Sequence, residues 1–453
     1  MWIDRPSKKR KFINNFLELR GQALVLRGPR QVGKTSFILN ALKELPEYPK
    51  LMLNVMYPTS FKVGGDEYLG RDFFGASPTG EDLLKNIERE IGDIKNLARP
   101  ILVFIDEADR HPIVLESIQT LAEFSHNMKF VLTGSNLENI PVKNAATGRK
   151  KFFDLYPITF EEFVAAGENE KLVRYMNELS LKNYIHSDFA HNKLKELFSS
   201  YLRLGGMPKI LDTYLAPSTS QPISEVIKDL TFSIEENVKT VLGEKSKLYE
   251  YDDVLRKMAC LSMNTLKYSN LQVQHAGRSE AKRLVAKTVG SRVVHKIRLF
   301  DSKNDLSKYI IFDCGILNYL LSGADLLKNA IGDRNMAIMH ETFVGSELIA
   351  RMTTRDDLFY WKSGNTAEIE YILRSPSLVG IDVKTGRGDC KSLNSFALLE
   401  KDAHCLVKIS DAQLSIDREH AAFLPNTDHR RKIPLMTVPH YISYRLHELL
   451  GEV

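Results

Sequence analysis

The sequence predicts an α/β fold with a doubly wound parallel sheet at its N-terminal end, and three observations lead there. Residues 21–165 carry five apolar runs of four or five residues that do not alternate, as expected of strands covered on both faces. Stretches of helical period separate the runs. A turn bounded by two glycines stands between the first run and the first such stretch.

The runs are Ala23-Leu-Val-Leu26, Leu51-Met-Leu-Asn-Val55, Ile101-Leu-Val-Phe-Ile105, Lys129-Phe-Val-Leu132 and Phe152-Phe-Asp-Leu155, with helical segments such as Ser36–Leu45 and Ile113–Ser125 between them. The glycine-containing stretch Tyr57–Pro78 reads as a surface insertion. From about Phe160 the strand pattern stops. Residues 160–245 read as helices, interrupted by Leu204-Gly-Gly-Met-Pro208 and by the turn-rich Ala216–Pro222. Residues 250–300 read as a small helical module ending in a hairpin. Strands return beyond Tyr309, at Ile310–Phe312, Leu358–Tyr360, Ile369–Leu373 and Val379–Val383.

At 453 residues the chain exceeds one ordinary core, and its length suggests roughly three domains. Hydrophobic residues make up 43% and charged residues 26%, the balance of a globular protein with ample apolar material to bury. No stretch approaches the ~18 apolar residues of a membrane helix, and no apolar segment follows the basic N-terminus. The four scattered cysteines, Cys260, Cys314, Cys390 and Cys405, read as reduced thiols of a cytoplasmic protein. The net charge of +5 excludes little by itself; its distribution says more.

Gly28-Pro-Arg-Gln-Val-Gly-Lys-Thr35 matches the G-x-x-x-x-G-K-[ST] pattern, after a strand and before a helix. Residues Gly28, Pro29, Arg30, Gln31, Val32, Gly33, Lys34, Thr35 and Ser36 are the candidate nucleotide-binding set. The glycines let backbone N–H groups curl round a β-phosphate, and the helix N-terminus adds its positive end. Lys34 reaches the β- and γ-phosphates, and Thr35 offers its hydroxyl to Mg²⁺. ATP and Mg²⁺ are the expected cofactors.

Ile101-Leu-Val-Phe-Ile-Asp-Glu107 delivers two adjacent carboxylates at the C-terminal end of a strand, the edge where such sheets bind ligands. Asp106 is the candidate metal holder and Glu107 the base for the attacking water. The strand Phe130-Val-Leu-Thr-Gly-Ser-Asn136 ends in small polar residues, of which Ser135 or Asn136 could meet the γ-phosphate. Arg149 is the candidate for stabilising transition-state charge.

These motifs, followed by Tyr156-Pro-Ile-Thr-Phe-Glu-Glu-Phe163 and Gly205-Gly-Met-Pro208, resemble in order a large group of prokaryotic AAA+-like P-loop ATPases. The resemblance implies a core in which a strand is inserted between the loop strand and the acidic strand. It further implies a helical segment, a winged-helix module and a C-terminal nuclease-like domain of unknown function. The corresponding boundaries are 1–165 for the ATPase core, 166–249 for the helical segment, 250–305 for the winged-helix-like module and 306–453 for the last domain.

Between Arg278 and Arg298 seven basic residues face one acid, Glu280. Arg278/Lys282 and Arg283/Lys287 are each four apart, so a helix would project two basic rows, with Ala281, Leu284 and Val285 on its buried side. Val289–Ile297 fits a wing-like hairpin after it. Helix and wing together suit duplex DNA. Further on, Ala367-Glu-Ile-Glu-Tyr-Ile-Leu373 and Gly380-Ile-Asp-Val-Lys384 set Glu370, Asp382 and Lys384 where two neighbouring strands could bring them together. Glu341, on an upstream helix, is a further ligand candidate. Such a cluster can hold a second Mg²⁺ or Mn²⁺ and activate water. It resembles the restriction-endonuclease-like superfamily, with Glu370 where that group usually has Asp and Asp382 where it usually has Glu. His295, His404 and His440 have no partners at metal or triad spacing and read as structural.

Three functions fit: an ATP-driven machine that binds or cuts DNA, a nucleotide-gated signalling or defence switch whose C-terminal domain only binds, and a scaffold that holds ATP without turnover. Glu107 counts against the scaffold. A homo-oligomer is compatible with each, and a membrane partner with none.

Overall fold

The computed structural model describes the chain apart from residues 1–2, 64–65, 76–78, 93, 95–96, 112–116, 119–120, 123–126, 138–149, 184–185, 217–220, 243–253, 272–276, 304–305, 324–332, 353–357, 365–366, 375, 387 and 425–427. It divides into two compact units, Asp4–Tyr156 with Gly290–Arg292, and Met1–Ile3 with Pro157–Val289 and Val293–Val453.

The smaller unit is built on strands β1 (Ala23–Arg27), β2 (Lys50–Asn54), β5 (Ile101–Asp106), β6 (Met128–Thr133) and β7 (Lys150–Asp154). They form one sheet in the order β2-β5-β6-β1-β7. Every neighbour is parallel. Strand β6 therefore lies between the loop strand β1 and the acidic strand β5, the insertion that the family resemblance implies. Both faces are covered, which is why the runs do not alternate. On β5, Ile101, Val103 and Ile105 join one core with Leu83, Ile87 and Phe130. Leu102 and Phe104 face the other, with Phe12, Phe16, Phe37 and Phe153. Phe12 meets Phe37 and Phe153 edge-on, with ring centroids 5.6 and 5.4 Å apart. That pins the first helix, Pro6–Leu17, to the sheet.

The insertion after β2 contains a hairpin, β3 (Phe61–Val63) with β4 (Asp66–Tyr68), and a 3-10 turn at Arg71–Phe74. Leu69 then bridges to Leu53, so the insertion is tied to the sheet edge and is less of a surface loop than its composition suggests. Most of the helix expected at Ile113–Ser125 lies outside the described residues.

In the larger unit, helices Phe160–Ala166, Glu170–Glu178, Asp188–Leu204, Pro208–Leu215 and Ile223–Leu242 fill the expected helical stretch. Two motifs carried by the resemblance explain each other here. Ile158 N donates to Gly206 O at 2.7 Å, and Tyr201 Oη donates to Ile158 O at 2.5 Å. Thr159 and Glu162 close a capping box, and Phe160 N donates to the buried Glu347 carboxylate at 2.9 Å. A Cβ on Gly206 would stand 2.1 Å from Ile158 O, so only glycine allows this approach. Residues 157–165, grouped with the core on sequence, are thus packed within the larger unit.

Its sheet contains β8 (Val294–Leu299), β9 (Ser307–Ile311), β10 (Leu358–Ser363), β11 (Ala367–Leu373), β12 (Leu378–Val383), β13 (Ala403–Ser410), β14 (Ser415–Asp417) and, after the hairpin of β15 (Ala421–Phe423) with β16 (Arg430–Lys432), β17 (Leu435–Pro439). The order is β14-β17-β13-β12-β11-β10-β8-β9. The hairpin expected at Val289–Ile297 forms later, between β8 and β9, and β8 also pairs with β10. It is therefore continuous with the C-terminal sheet, because the exposed edge of β8 finds a partner there. No helix among the described residues is long and apolar enough to cross a membrane.

Candidate functional site

Strand β1 ends at Arg27, and the chain turns through Gly28–Gly33 into the helix Lys34–Leu42. Gly33 takes a left-handed φ of 88° at the helix N-cap, and Gln31 does the same at 61°. Gly28 lies against the end of β7, where a Cβ would stand 2.4 Å from Leu155 O. Pro29 and Val32 are buried, Arg30 is half-buried, and Gln31 and Ser36 are exposed.

Lys34 is 7% exposed, and its ammonium donates to Gly28 O at 3.0 Å, Pro29 O at 2.9 Å and Ser135 Oγ at 3.3 Å. Burial lowers its pKa to about 8, opposed by the charges of Glu107, Asp109 and Asp106. Thr35 Oγ1 donates to Asp106, 3.0 Å from Oδ2 and 3.1 Å from Oδ1. Asn54 Nδ2 donates to the same Oδ2 at 3.2 Å. Burial and then the Glu107 charge raise the Asp106 pKa to about 6.

Glu107 follows at φ 54°, a left-handed conformation that costs a non-glycine residue free energy and that clusters at functional sites. Its carboxylate lies 4.0 Å from Arg110 Nε and remains 30% exposed, open to water. Asp109, which the sequence reading left out, belongs here too. Its Oδ2 accepts from Asn136 N at 3.1 Å, and its Oδ1 is buried without a hydrogen-bond partner among the described residues. Asn136 Oδ1 is also buried without one, so the end of β6 presents polar atoms that no described residue satisfies. The only sequence signal for Asp109 is its place in the Asp-Glu-Ala-Asp run; Asn54 gives none. Arg149 lies outside the described residues.

The donor set fits a magnesium nucleotide. A hydroxyl and a carboxylate are hard oxygen ligands, an ammonium is buried beside them, and a helix N-terminus opens onto both.

A second cluster forms in the larger unit. The antiparallel register Tyr371↔Ile381, continued by one residue, sets Glu370 opposite Asp382. Glu370 Oε2 accepts from Val383 N at 3.1 Å, and Lys384 Nζ lies 2.9 Å from Asp382 Oδ1. Burial, with the Asp382 and Glu341 charges, pushes Glu370 well above the carboxylate range. Burial likewise raises Glu341, which feels Lys308, Asp382, Glu368 and Lys384. All four residues expected to gather do so. Two others join them that sequence reasoning missed. Lys308 of β9, 2% exposed, is ion-paired to Glu368, and its ammonium stands 5.1 Å from the Tyr360 ring centre. Lys362 approaches the other Glu368 oxygen at 3.4 Å. The expected second metal finds no support here. Among the described residues no group of three or more His, Cys, Asp or Glu is placed to hold a metal ion. Lysines pair with Glu368 and Asp382, while both buried Asp382 oxygens lack a hydrogen-bond partner among the described residues.

The basic helix forms at Arg278–Gly290, burying Ala281, Leu284 and Val285 as expected. Arg278, Lys282 and Arg283 are exposed, and Lys287 is half-buried. Arg283 Nε donates to Glu280 Oε2 at 2.8 Å, so the one acid in the run shares its charge with this row.

His440, read on sequence as unpartnered, is not. Its Nε2 lies 3.0 Å from His340 Nδ1 and its Nδ1 3.2 Å from Asp411 Oδ1, while Phe198 stacks on its ring at 5.2 Å. Partners 29 and 100 residues away leave no local spacing to read.

The parallel sheet, the glycine loop and the acidic strand define a P-loop core of α/β class. Residues 20–164 match the family model for an AAA domain. Residues 337–427 match a domain of unknown function (DUF4143). The chain thus couples an AAA-type core to that second domain. No curated protein matches it. Among solved structures it is similar to the Pif1 helicase from Candida albicans at 16% identity and a TM-score of 0.26, covering 43% of this chain and 47% of that one. It is similar to Drosophila ORC bound to DNA at 14% identity and a TM-score of 0.25, covering 71% and 88%. For Drosophila ORC bound to AT-rich DNA and Cdc6 the identity is 13% and the TM-score 0.24, covering 70% and 92%. The chain spans about half the length of the helicase it matches.

Proposed function

We propose that the chain is a magnesium-dependent ATPase that acts on duplex DNA. The observation that carries the catalytic half is the contact of Thr35 with Asp106 beside a buried Lys34. Thr35 and Asp106 would hold magnesium, which when bound neutralises charge on the phosphate oxygens. Lys34 exchanges the carbonyls of Gly28 and Pro29 for the oxygens of the β- and γ-phosphates. Gly28–Ser36 cradles the phosphates with backbone N–H groups. Glu107 orients the attacking water and takes its proton. Asn136 or Ser135, at the end of the inserted strand, positions the γ-phosphate; Arg149 is the proposed counter-charge in the transition state.

The DNA half rests on the exposed Arg278, Lys282 and Arg283 with the neighbouring Lys287, a row suited to phosphates. ATP turnover measured with and without duplex DNA at two salt concentrations tests both halves. Turnover lost in Lys34→Ala, and stimulated by DNA more strongly at low salt, is expected. No turnover under any condition rejects the first half, and turnover indifferent to DNA rejects the second.

A second reading follows from the lysines seated in the C-terminal cluster. There the nucleotide state gates a conformational switch, and the restriction-endonuclease-like domain binds without cutting. Cleavage of DNA or RNA by the purified chain in Mg²⁺ or Mn²⁺, lost in Asp382→Ala, would exclude it.

A further inference from the structure

The turn that follows β5 carries more than the acidic pair. Glu107, at φ 54°, leads the chain into a single 3-10 turn, Ala108–Arg110, closed by Arg110 N donating to Glu107 O at 2.9 Å. That turn brings Asp109 to the end of β6, the strand beside β5 in the sheet. There Asp109 Oδ2 accepts from the Asn136 amide at 3.1 Å, a bond that spans 27 residues of sequence. Its Oδ1 lies over Gly134, where a Cβ would stand only 2.3 Å away. A residue without a side chain lets the carboxylate settle this close. Between Gly134 and Asn136, Ser135 Oγ accepts from Lys34 at 3.3 Å, so that hydroxyl is already engaged. Asn136 is the neighbour whose side-chain oxygen is buried without a partner among the described residues. Its amide offers an acceptor to the attacking water and a donor to a γ-phosphate oxygen.

We propose that Asp109 is a positioning residue for ATP hydrolysis: its carboxylate holds the Asn136 backbone so that the Asn136 side chain stands at a fixed place relative to Glu107. Its role rests on the ATPase reading of this site. Glu107 and Asp109 belong to one turn, so the base and the side chain that meets the γ-phosphate are set by the same few bonds. Asp109 acts through its acceptor oxygen, and Asn136 is the group through which the effect reaches the nucleotide. Charge is not what sets Asp109 apart, because Glu107 raises the Lys34 pKa more than Asp109 does. Reacting groups displaced by about 1 Å can lose on the order of 100-fold in rate, so a residue that never touches the nucleotide can still govern turnover.

The test is steady-state ATP turnover and ATP affinity of the full-length chain with Mg²⁺. Asp109→Ala is expected to lower kcat by roughly 10–100-fold while affinity stays near the wild-type value. Asp109→Asn keeps an acceptor for the Asn136 amide and is expected to return most of that loss. Asn136→Ala keeps the amide and removes the side chain, so in that background Asp109→Ala is expected to cost nothing further. Gly134→Ala, whose methyl group pushes the carboxylate aside, should reproduce the Asp109→Ala defect and serves in its place if Asp109→Ala fails to fold. Three results overturn the inference and leave the ATPase reading standing: a wild-type kcat in folded Asp109→Ala or Gly134→Ala, equal losses in Asp109→Ala and Asp109→Asn, or losses that multiply in the double variant. No turnover in wild type rejects that reading and takes the role of Asp109 with it.

Discussion

Thr35 donates its hydroxyl hydrogen to Asp106, joining the first turn after the glycine loop to the end of strand β5 across 71 residues of sequence. The contact places two oxygen ligands side by side at the mouth of the loop and leaves Asp106, among the described residues, with Thr35, Asn54 and the Glu107 amide as hydrogen-bond donors. Burying a carboxylate with so few neutral donors is unfavourable, and its pKa of about 6 expresses that. A cation at this position would relieve it.

Thr35→Val keeps the shape and removes the hydroxyl. ATP affinity in the presence of Mg²⁺ is expected to fall by roughly tenfold or more, the value of one lost charge-assisted contact. Thr35→Ser should restore it. With magnesium chelated, wild type and Thr35→Val should bind alike, as read by equilibrium titration of a fluorescent nucleotide. An equal loss with and without Mg²⁺ would assign Thr35 to loop folding alone.

Gly28→Ala drives a methyl group to 2.4 Å from the Leu155 carbonyl, and neither backbone segment is free to yield. A loss of about 1–3 kcal/mol in stability is expected, as for other overpacked sites, together with loss of nucleotide binding. Chemical denaturation and nucleotide titration on the same sample check both. A stable variant that binds ATP normally would show that the loop does not depend on this approach.

Much of the core was legible because its signals are local. Apolar runs specify strands β1, β2, β5, β6 and β7, and the loop motif specifies its own turn. The convergence of Glu370 with Asp382 could also be read, since strand alternation fixes which side chains share a face. What escaped were partners remote in sequence. Lys308 lies 60 residues before Glu368, and nothing in Ser307-Lys-Tyr-Ile-Ile311 marks its charge as buried. Asp411 and His340 reach His440 only through the fold. Asp109 stands beside the acidic pair in sequence, but its bond from Asn136 N is made only in the fold. The wing-like reading of Val289–Ile297 failed to anticipate that β8 pairs with β10, a contact set by sheet topology.

The buried His340 makes stability depend on pH. Burial, and then its neighbour His440, lower its pKa from 6.5 to about 3, so between these values the unfolded chain binds a proton that the folded one refuses. Stability is therefore fully present above pH 6.5 and is lost as pH falls toward 3. Asp411, held below its ordinary range by its bond to His440, acts in the same direction. By pH 5 the His340 contribution is on the order of 2 kcal/mol. Urea denaturation at pH 8 and pH 5 should show that loss in wild type and a smaller one in His340→Gln. Equal losses would mean the proton goes elsewhere.

ATP binding and ATP turnover, measured together on Glu107→Gln, examine the catalytic reading at its centre. Glu107 is 30% exposed at the end of β5, so its amide replacement should leave the fold and the phosphate cradle intact. Affinity for ATP with Mg²⁺ is expected to stay near the wild-type value. Steady-state hydrolysis should drop by about 10²–10⁴-fold, the usual contribution of a positioned base. Hydrolysis at the wild-type rate with binding unchanged would remove Glu107 from the chemistry, and no binding in either protein would remove the nucleotide itself.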